Sequence, residues 1–359
     1  MGPKDATIPS LACGEFHFVR DSGGGVRGVI AVDSKVLGPA AGGCRIWHYE
    51  DRDALMQDAA RLARGMSYKN AMAGLPFGGG KAVLQQPSSD ADRIELLKAL
   101  AGAVHALKGQ YVTAEDVGTS ISDMAAIREH TPYVAGLTAK LGKAGGDPSP
   151  WTAKGVFESM RATLNWRDGR GLDGVSVAIQ GVGNVGTHLC RLLHEAGAEL
   201  FVADSDVPRA RFVAEQFGAR QVSADEILHV EADILAPCAL GGILNEATIP
   251  RLNVSMVVGA ANNQLATAAD GERLREAGII YAPDYVVNAG GIVNVAAEYL
   301  GETIDQVVQR IKEVPQRVIS ILGQAHRQRR ATNLVADEIA QHIIADARHK
   351  VAEVHAAVT

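Results

Sequence analysis

The chain has 359 residues, 47% of them hydrophobic and 21% charged, and a formal net charge of −6. This is ordinary soluble globular composition, and the length favours two domains over one. The acidic balance implies no basic face, so nucleic acid and anionic membrane are poor candidate partners, and no stretch approaches the roughly 18 apolar residues of a membrane span.

The N-terminal MGPKDATIPSLACGE lacks the apolar run of a secretory signal. Gly2 superficially invites a myristoylation reading, but Ala6 stands where that motif needs Ser or Thr. The cytoplasm is the expected compartment. Cys13, Cys44, Cys190 and Cys238 form no Cys-x-x-Cys pair, so neither a zinc cluster nor a redox motif is expected. Scattered thiols suit a reducing cytosol.

In chain order, 15–21 and 26–33 are short β-type runs joined by Ser22-Gly23-Gly24-Gly25, which predicts a hairpin. Residues 51–72, rich in Ala, Leu and Arg, predict a helix. A strand over 81–85 is expected to leave a glycine turn at Gly78-Gly79-Gly80. Ile94, Leu97, Leu100, Ala101, Val104 and Leu107 recur at helical spacing. A strand over 110–113 ends at Ala114-Glu115-Asp116, and catalytic groups often sit in the loop just past such an end.

The segment 143–150 concentrates Gly, Pro, Asp and Ser and is the best linker candidate, with a helix starting near Ser149-Pro150. Beyond it strand and helix alternate. Residues 175–180, 200–203, 234–236, 255–258 and 279–282 are apolar strands, and Val185, Leu189, Leu192 and Ala196 mark a helix face. This alternation predicts an α/β chain with a doubly wound parallel sheet. The tail is helical: 305–327 with a kink or break at Pro315, then a stripe of Ala336, Ile339, Ile343, Ala347, Val351 and Val354, capped by Thr332 or Asn333. The expected domains are 1–145, joined by the C-terminal helix at about 331–359, and a Rossmann-type domain over 146–330.

Three residues before the linker suggest chemistry. Lys81 ends the glycine triplet, Lys69 lies twelve residues earlier, and Asp116 follows the next strand. A second lysine supplies charge for a carboxylate and depresses the first lysine's pKa. An aspartate completes a set able to bind an amino acid and move protons on its amine. Alone, either lysine would read as a solvated surface residue, and Asp116 as a helix cap.

Gly181-Val182-Gly183-Asn184-Val185-Gly186 is a G-x-G-x-x-G that follows a strand and opens a helix. The first glycine makes the turn, the second admits a pyrophosphate and the third lets helix and strand pack closely; the pyrophosphate would rest on the helix N-terminus. Asp204, 23 positions after Gly181, suits the carboxylate that binds the adenosine ribose and repels a 2′-phosphate. NAD is therefore favoured over NADP.

Eight segments in order carry a resemblance: 37–43 (LGPAAGG), 66–69 (MSYK), 78–81 (GGGK), 113–119 (TAEDVGT), 146–150 (GDPSP), 236–239 (APCA), 259–263 (GAANN) and 288–291 (NAGG). Over about 37–294 the chain resembles the glutamate/leucine/phenylalanine/valine dehydrogenases, and among them most nearly the leucine dehydrogenases. The resemblance implies that Lys69 pairs with the substrate carboxylate, helped by N–H groups around Gly42 and Gly43. It implies Lys81 as general base for water, Asp116 as proton shuttle on the amine, and Asn262 as a substrate-orienting group. Thr152 and Asn288 would help hold the nicotinamide, and Cys238 and Ala239 would lie along the cofactor. Ala41, Ala114, Gly118, Ile292 and Val295 would line the side-chain pocket.

The reaction so implied is NAD-dependent oxidative deamination of a branched-chain L-amino acid to its 2-oxo acid and ammonia. Ala41 points instead to an aromatic substrate, phenylalanine or tryptophan, because leucine dehydrogenases usually carry leucine there. Relatives form homo-oligomers, dimers or octamers, and no metal site is expected. A hydroxyacid dehydrogenase would need a histidine paired with an acid, and no histidine here sits in such a motif. A sensor that keeps the fold without turnover is opposed by the presence of Lys69, Lys81 and Asp116.

Overall fold

Asp21 closes the first hairpin by accepting the N–H groups of Gly23 at 3.0 Å and Gly25 at 2.8 Å. The hairpin joins β1 (Glu15–Arg20) to β2 (Val26–Ser34), antiparallel. The computed structural model describes residues 14–139 and 141–358. The chain divides into two units, Met1–Thr138 with Ile343–Thr359, and Ala139–His342. Cys13 lies outside the described residues, as do the side chains of Val351 and Val354.

The first unit adds β3 (Ala40–Trp47), α1 (Arg52–Met72), β4 (Gly78–Gln85), α2 (Asp90–Ala106), β5 (Tyr111–Glu115) and α3 (Ile121–Arg128). Its sheet has the order β1-β2-β4-β3-β5, with β3 parallel to both β4 and β5. Side chains alternate across a strand with period 2. Ile30, Val32, Ala40, Cys44, Ile46, Ala82, Leu84 and Tyr111 therefore share one core with α2 and α3. Val29, Ala31 and Val83 face the other way, onto Leu55, Met56, Ala59 and Ala63 of α1. Asp51 caps α1 by accepting from Ala54 N–H at 2.8 Å. On α2, Leu96 belongs to the core and Ile94 is exposed, a correction to the expected stripe.

The glycine triplet is not a turn. Gly78, Gly79 and Gly80 open β4, and none has a positive φ. Each lacks a side chain because a neighbour lies too close for a Cβ: the Ser34 carbonyl at Gly78, the Ser67 backbone and Ala63 carbonyl of α1 at Gly79, and the Tyr111 ring at Gly80.

Tyr111 is fully buried. Its hydroxyl donates to the Gly42 carbonyl at 2.7 Å and accepts the Ala82 N–H at 3.0 Å. It stands where the β3–β4 register lapses, between Ala41↔Gly79 and Cys44↔Ala82. Tyr111→Phe leaves both backbone groups buried without that partner, so a loss of about 1–3 kcal/mol is expected. Urea unfolding with an unchanged midpoint would show that the hydroxyl is dispensable.

The second unit contains α4 (Ser149–Asp168), β6 (Ser176–Gln180), α5 (Asn184–Glu195), β7 (Glu199–Ala203), α6 (Val207–Phe217), β8 (Arg220–Gln221), β9 (Ile234–Pro237), β10 (Met256–Val257), α7 (Ala269–Glu276) and β11 (Ile280–Tyr281). Then follow α8 (Asp284–Val287), α9 (Gly290–Leu300), α10 (Ile304–Ile311), α11 (Val314–Gln328) and the start of α12 (Thr332–Val358), whose residues from Ile343 on belong to the first unit. The six strands are all parallel, in the order β11-β10-β9-β6-β7-β8. The chain reverses direction across the sheet between β6 and β9, the switch point where doubly wound sheets bind ligands. Within the segment read as a linker, the Ala144 N–H donates to the Glu302 carbonyl at 3.2 Å and the Gly145 N–H to Asn294 Oδ1 at 3.1 Å.

Two helical expectations change, and the break expected at Pro315 is present. The buried face of α5 is Gly186, Leu189, Cys190 and Leu193, not the stripe through Val185, Leu192 and Ala196. The 305–327 segment is two helices, α10 and α11, with Pro315 in the first turn of the second, where its missing N–H costs nothing. Thr332 and Asn333 do not cap α12: the Thr332 hydroxyl donates to the Tyr281 carbonyl and the Asn333 amide to the Ala268 carbonyl. No helix among the described residues is long and apolar enough to cross a membrane.

Candidate active site

The sequence-derived site residues fall into two groups, one in each unit. In the first, β3, β4 and β5 present Ala41, Gly43, Arg45, Gly79, Lys81 and Ala114 on the side of the sheet that faces α1. Ala41 pairs with Gly79 and Gly43 with Ala114. Lys69 is in the last turn of α1, half-buried. The register fixes these positions, because a slip of one residue would turn them to the opposite face.

Lys81 is 5% exposed. Its Nζ lies 2.8 Å from Asp116 Oδ2. Asp116 follows the end of β5 in a turn whose Thr119 hydroxyl accepts the Asp116 N–H at 2.9 Å and whose Val117 carbonyl accepts Ile46 N–H of β3 at 3.0 Å. Ser120, not Asp116, caps α3. Gly43 leaves the space that Asp116 occupies: a Cβ there would meet the Asp116 Cβ and the Glu115 carbonyl. Gly118 holds φ at 81° with the Ile46 carbonyl against it, so a side chain is excluded there as well.

Arg45 was missed by sequence reasoning, and it enters the same site. Its Nε donates to Asp116 Oδ2 at 3.1 Å and its Nη1 to Asp58 Oδ2 of α1 at 3.2 Å. Tyr49 and Arg61 complete the surroundings of Asp58, each at 2.6 Å. Burial pushes the Asp116 carboxyl up, but the Lys81 ammonium and Arg45 guanidinium outweigh it and hold it below the usual carboxylate range. Cys44, on the opposite face, is fully buried and its thiol is pushed well up by burial, which leaves it neutral. A buried amine beside a carboxylate can take and return a proton close to a bound substrate.

The second group surrounds the β6–α5 connection. Gly181 has φ 95° and Ala239 packs against it. Gly186 allows α5 to approach, since a Cβ there would strike the Gly181 carbonyl. Gly183 differs: a Cβ would meet nothing nearer than Arg209 Nη1 at 4.0 Å. It is the N-cap of α5, and no side chain caps that helix. The N–H groups of Asn184 and Val185 thus open α5 at a site suited to an anion. Asp204 follows β7; its Oδ2 accepts the Val182 N–H at 2.8 Å and its Oδ1 the Asp206 N–H at 2.9 Å.

Asn288 is 3% exposed. Its amide donates to the Ala260 carbonyl at 3.0 Å and to Asn262 Oδ1 at 2.8 Å, while its own Oδ1 is buried with no hydrogen-bond partner. Gly290 and Gly291 let α9 pack against the Trp151 carbonyl and the Thr152 hydroxyl of α4. Ile292 and Val295 are half-buried, one helical turn apart on α9. Cys238 follows β9, with its thiol pushed up by burial.

The profile of the Glu/Leu/Phe/Val dehydrogenase dimerisation domain matches residues 13–133, and that of the glutamate/leucine/phenylalanine/valine dehydrogenases matches 147–208 and 205–357. The chain belongs to the glutamate/leucine/phenylalanine/valine dehydrogenase family. It is 44% identical to a leucine dehydrogenase of Geobacillus stearothermophilus, over 91% of this chain and 89% of that protein. It is 39% identical to a phenylalanine dehydrogenase of Lysinibacillus sphaericus, over 87% and 83%. The crystal structure of an L-tryptophan dehydrogenase from Nostoc punctiforme superposes with a TM-score of 0.83 at 38% identity, over 96% of this chain and 99% of that one. The protein is an amino acid dehydrogenase, an oxidoreductase.

Among the residues of this dehydrogenase that sequence reasoning missed, Arg45 carried one available signal. It lies two residues past Gly43 on a strand, hence on the same face. Tyr111 carried none, because its role rests on a register that no local pattern specifies.

Proposed function

We propose that the enzyme catalyses the reversible, NAD⁺-dependent oxidative deamination of a branched-chain L-amino acid, leucine with valine and isoleucine, to the 2-oxo acid and ammonium. The observation that carries this reading is the buried Lys81–Asp116 pair at 2.8 Å, in a chain 44% identical to a leucine dehydrogenase. Overall, amino acid, water and NAD⁺ give 2-oxo acid, ammonium, NADH and a proton.

Gly181, Gly183, Asn184, Val185 and Gly186 would hold the pyrophosphate, and Asp204 the ribose hydroxyls. The open space at Gly183 and the uncapped α5 N-terminus fit that group. The partnerless Asn288 Oδ1 suits a carboxamide N–H, with Thr152, Cys238 and Ala239 on the same cofactor. When bound, NAD⁺ supplies the hydride acceptor. Lys69 would pair with the substrate carboxylate, beside the N–H groups at Gly42 and Gly43. Lys81, once neutral, would take a proton from the water that attacks the imino carbon, and Asp116 would pass a proton to the departing amine. Asn262 would orient the substrate.

Ala41, Ala114, Gly118, Ile292 and Val295 would line the side-chain pocket. All are apolar or lack a side chain, so a glutamate carboxylate would be buried unpaired at a cost of several kcal/mol (about 2–7 for a polar group). The match of the first unit to a dimerisation domain supports a homo-oligomer.

The second reading is an aromatic substrate, favoured by the small side chain of Ala41 and by the likeness to a tryptophan dehydrogenase. Measuring kcat/KM for leucine, phenylalanine and tryptophan with NAD⁺ and NADP⁺ separates the readings. Leucine with NAD⁺ is expected to be preferred, over a broad profile, because pocket shape discriminates by only about 1–3 kcal/mol per methylene. A preference of more than about tenfold for an aromatic amino acid overturns the leucine assignment, and Ala41→Leu should then swing the ratio back. NADP⁺ as the better cofactor overturns the role given to Asp204.

A further inference from the structure

We propose that Arg45 is a positioning residue that sets how tightly Asp116 holds the proton on Lys81, an inference that rests on Lys81 being the general base. One oxygen carries the argument. Asp116 Oδ2 lies 2.8 Å from Lys81 Nζ and accepts Arg45 Nε at 3.1 Å. Two cations therefore share a single acceptor in a buried setting, where charge interactions are strong. A lysine paired with a lone buried carboxylate is held protonated, which is the wrong state for a base. A guanidinium stays charged at every working pH. Arg45 thus compensates the carboxylate permanently and weakens its hold on the Lys81 proton, without itself titrating.

The guanidinium is fixed from its far side. Arg45 Nη1 binds Asp58 Oδ2, which also accepts the Tyr49 hydroxyl, while Asp58 Oδ1 accepts Arg61 Nη2. Arg45 and Asp58 side chains are both largely buried, at 19% and 17% exposure. Hydrogen bonds from Tyr49 and Arg61 and the nearby Arg45 charge outweigh burial and hold the Asp58 carboxyl below its ordinary range, so it is an anion across neutral pH. Asp58 in turn takes up part of the Arg45 charge, so Arg45 and Asp58 act on Lys81 with opposite signs.

The other ionisable groups on the elements packed around Lys81 are few. On α1 these are Arg52 and Asp53, exposed in its first turn, and Arg64, Tyr68 and Lys69; Arg64 lies 3.8 Å from Asp33 of β2, which also accepts the Ser67 hydroxyl. Cys44 and Tyr111, on β3 and β5, are buried and neutral. Glu115 ends β5. Arg93 of α2 and Asp123 of α3 form a pair at 2.7 Å whose charges cancel. Among the residues named, Arg45 is the one that shares the Asp116 oxygen with Lys81.

The test is the pH profile of kcat/KM for one amino acid in the oxidative direction, with the full-length enzyme and its Arg45→Gln, Arg45→Lys, Asp58→Asn and Lys81→Ala variants. The substrate's own titration is common to all, so a displaced acid limb belongs to the enzyme. Removing a positive charge favours the protonated lysine, so Arg45→Gln moves the acid limb to higher pH, by on the order of one unit. Removing the Asp58 charge moves it to lower pH, and Arg45→Lys restores most of the wild-type position. A purely structural Arg45 would lower kcat/KM evenly at all pH values with the limb unmoved, which overturns the inference. If Arg45→Gln fails to fold, Asp58→Asn and Arg45→Lys still decide it through the direction and the rescue. An unmoved limb with an inactive Lys81→Ala defeats the role of Arg45 alone; an active Lys81→Ala defeats the base assignment and this inference together.

Discussion

Lys81→Ala is expected to lower turnover by about 10²–10⁴-fold, the usual contribution of a positioned acid or base, while NADH still binds. The variant is a clean test because the fold should tolerate it. Asp116 keeps its hydrogen bond from Arg45 at 3.1 Å, so the buried carboxylate is not left without a cation. The reverse change, Asp116→Ala, would strand two cations beside one another and confuse stability with mechanism. Single-turnover and steady-state rates check the expectation, with NADH fluorescence as the binding control. Near-normal turnover would remove Lys81 from the chemistry.

Gly79→Ala is the second large effect. A Cβ at Gly79 would meet the Ser67 backbone nitrogen and hydroxyl and the Ala63 carbonyl of α1, closer than real Cβ atoms approach. Neither backbone group can move without displacing the helix that carries Lys69. Overpacking of this kind costs about 1–3 kcal/mol and occasionally more. Loss of activity should therefore accompany a lowered melting temperature. A variant as stable and active as the parent would mean that α1 does not need to lie so close to β4. Gly102, exposed on α2 with open space where a Cβ would go, is the natural comparison, since alanine should be tolerated there.

Much of this was legible in the sequence because it is periodic. The hairpin, α1, β5 and the alternation from β6 to β11 follow from apolar spacing and turn residues. The departures have identifiable causes. Gly78-Gly79-Gly80 reads as a turn by composition, and only the tertiary neighbours of β4 show that three separate close approaches require it. The α5 face was misread because its first buried position is Gly186, which carries no apolar signal although it packs on the Gly181 carbonyl. β8 is two residues long, too short for a pattern, and was not foreseen. Lys81 and Asp116 were found as a pair in sequence, but the oxygen shared with Arg45 is a matter of geometry and could not be read from spacing.

The hydrogen bonds at Asp204 bear on any attempt to re-engineer the coenzyme preference. Its two oxygens already receive the Val182 and Asp206 N–H groups, so the side chain, only 10% exposed, knots the glycine loop to the end of β7. A carboxylate has about four lone-pair sites; the Ser205 hydroxyl also donates to Oδ1, at 3.4 Å, which leaves one for an incoming ligand. On the role proposed for Asp204, exchanging it for a neutral residue to admit a 2′-phosphate would also untie the loop, and affinity for both coenzymes is expected to fall together. Asparagine keeps one acceptor and is the smaller perturbation. A successful switch would pair that change with a new tether for the Val182 N–H.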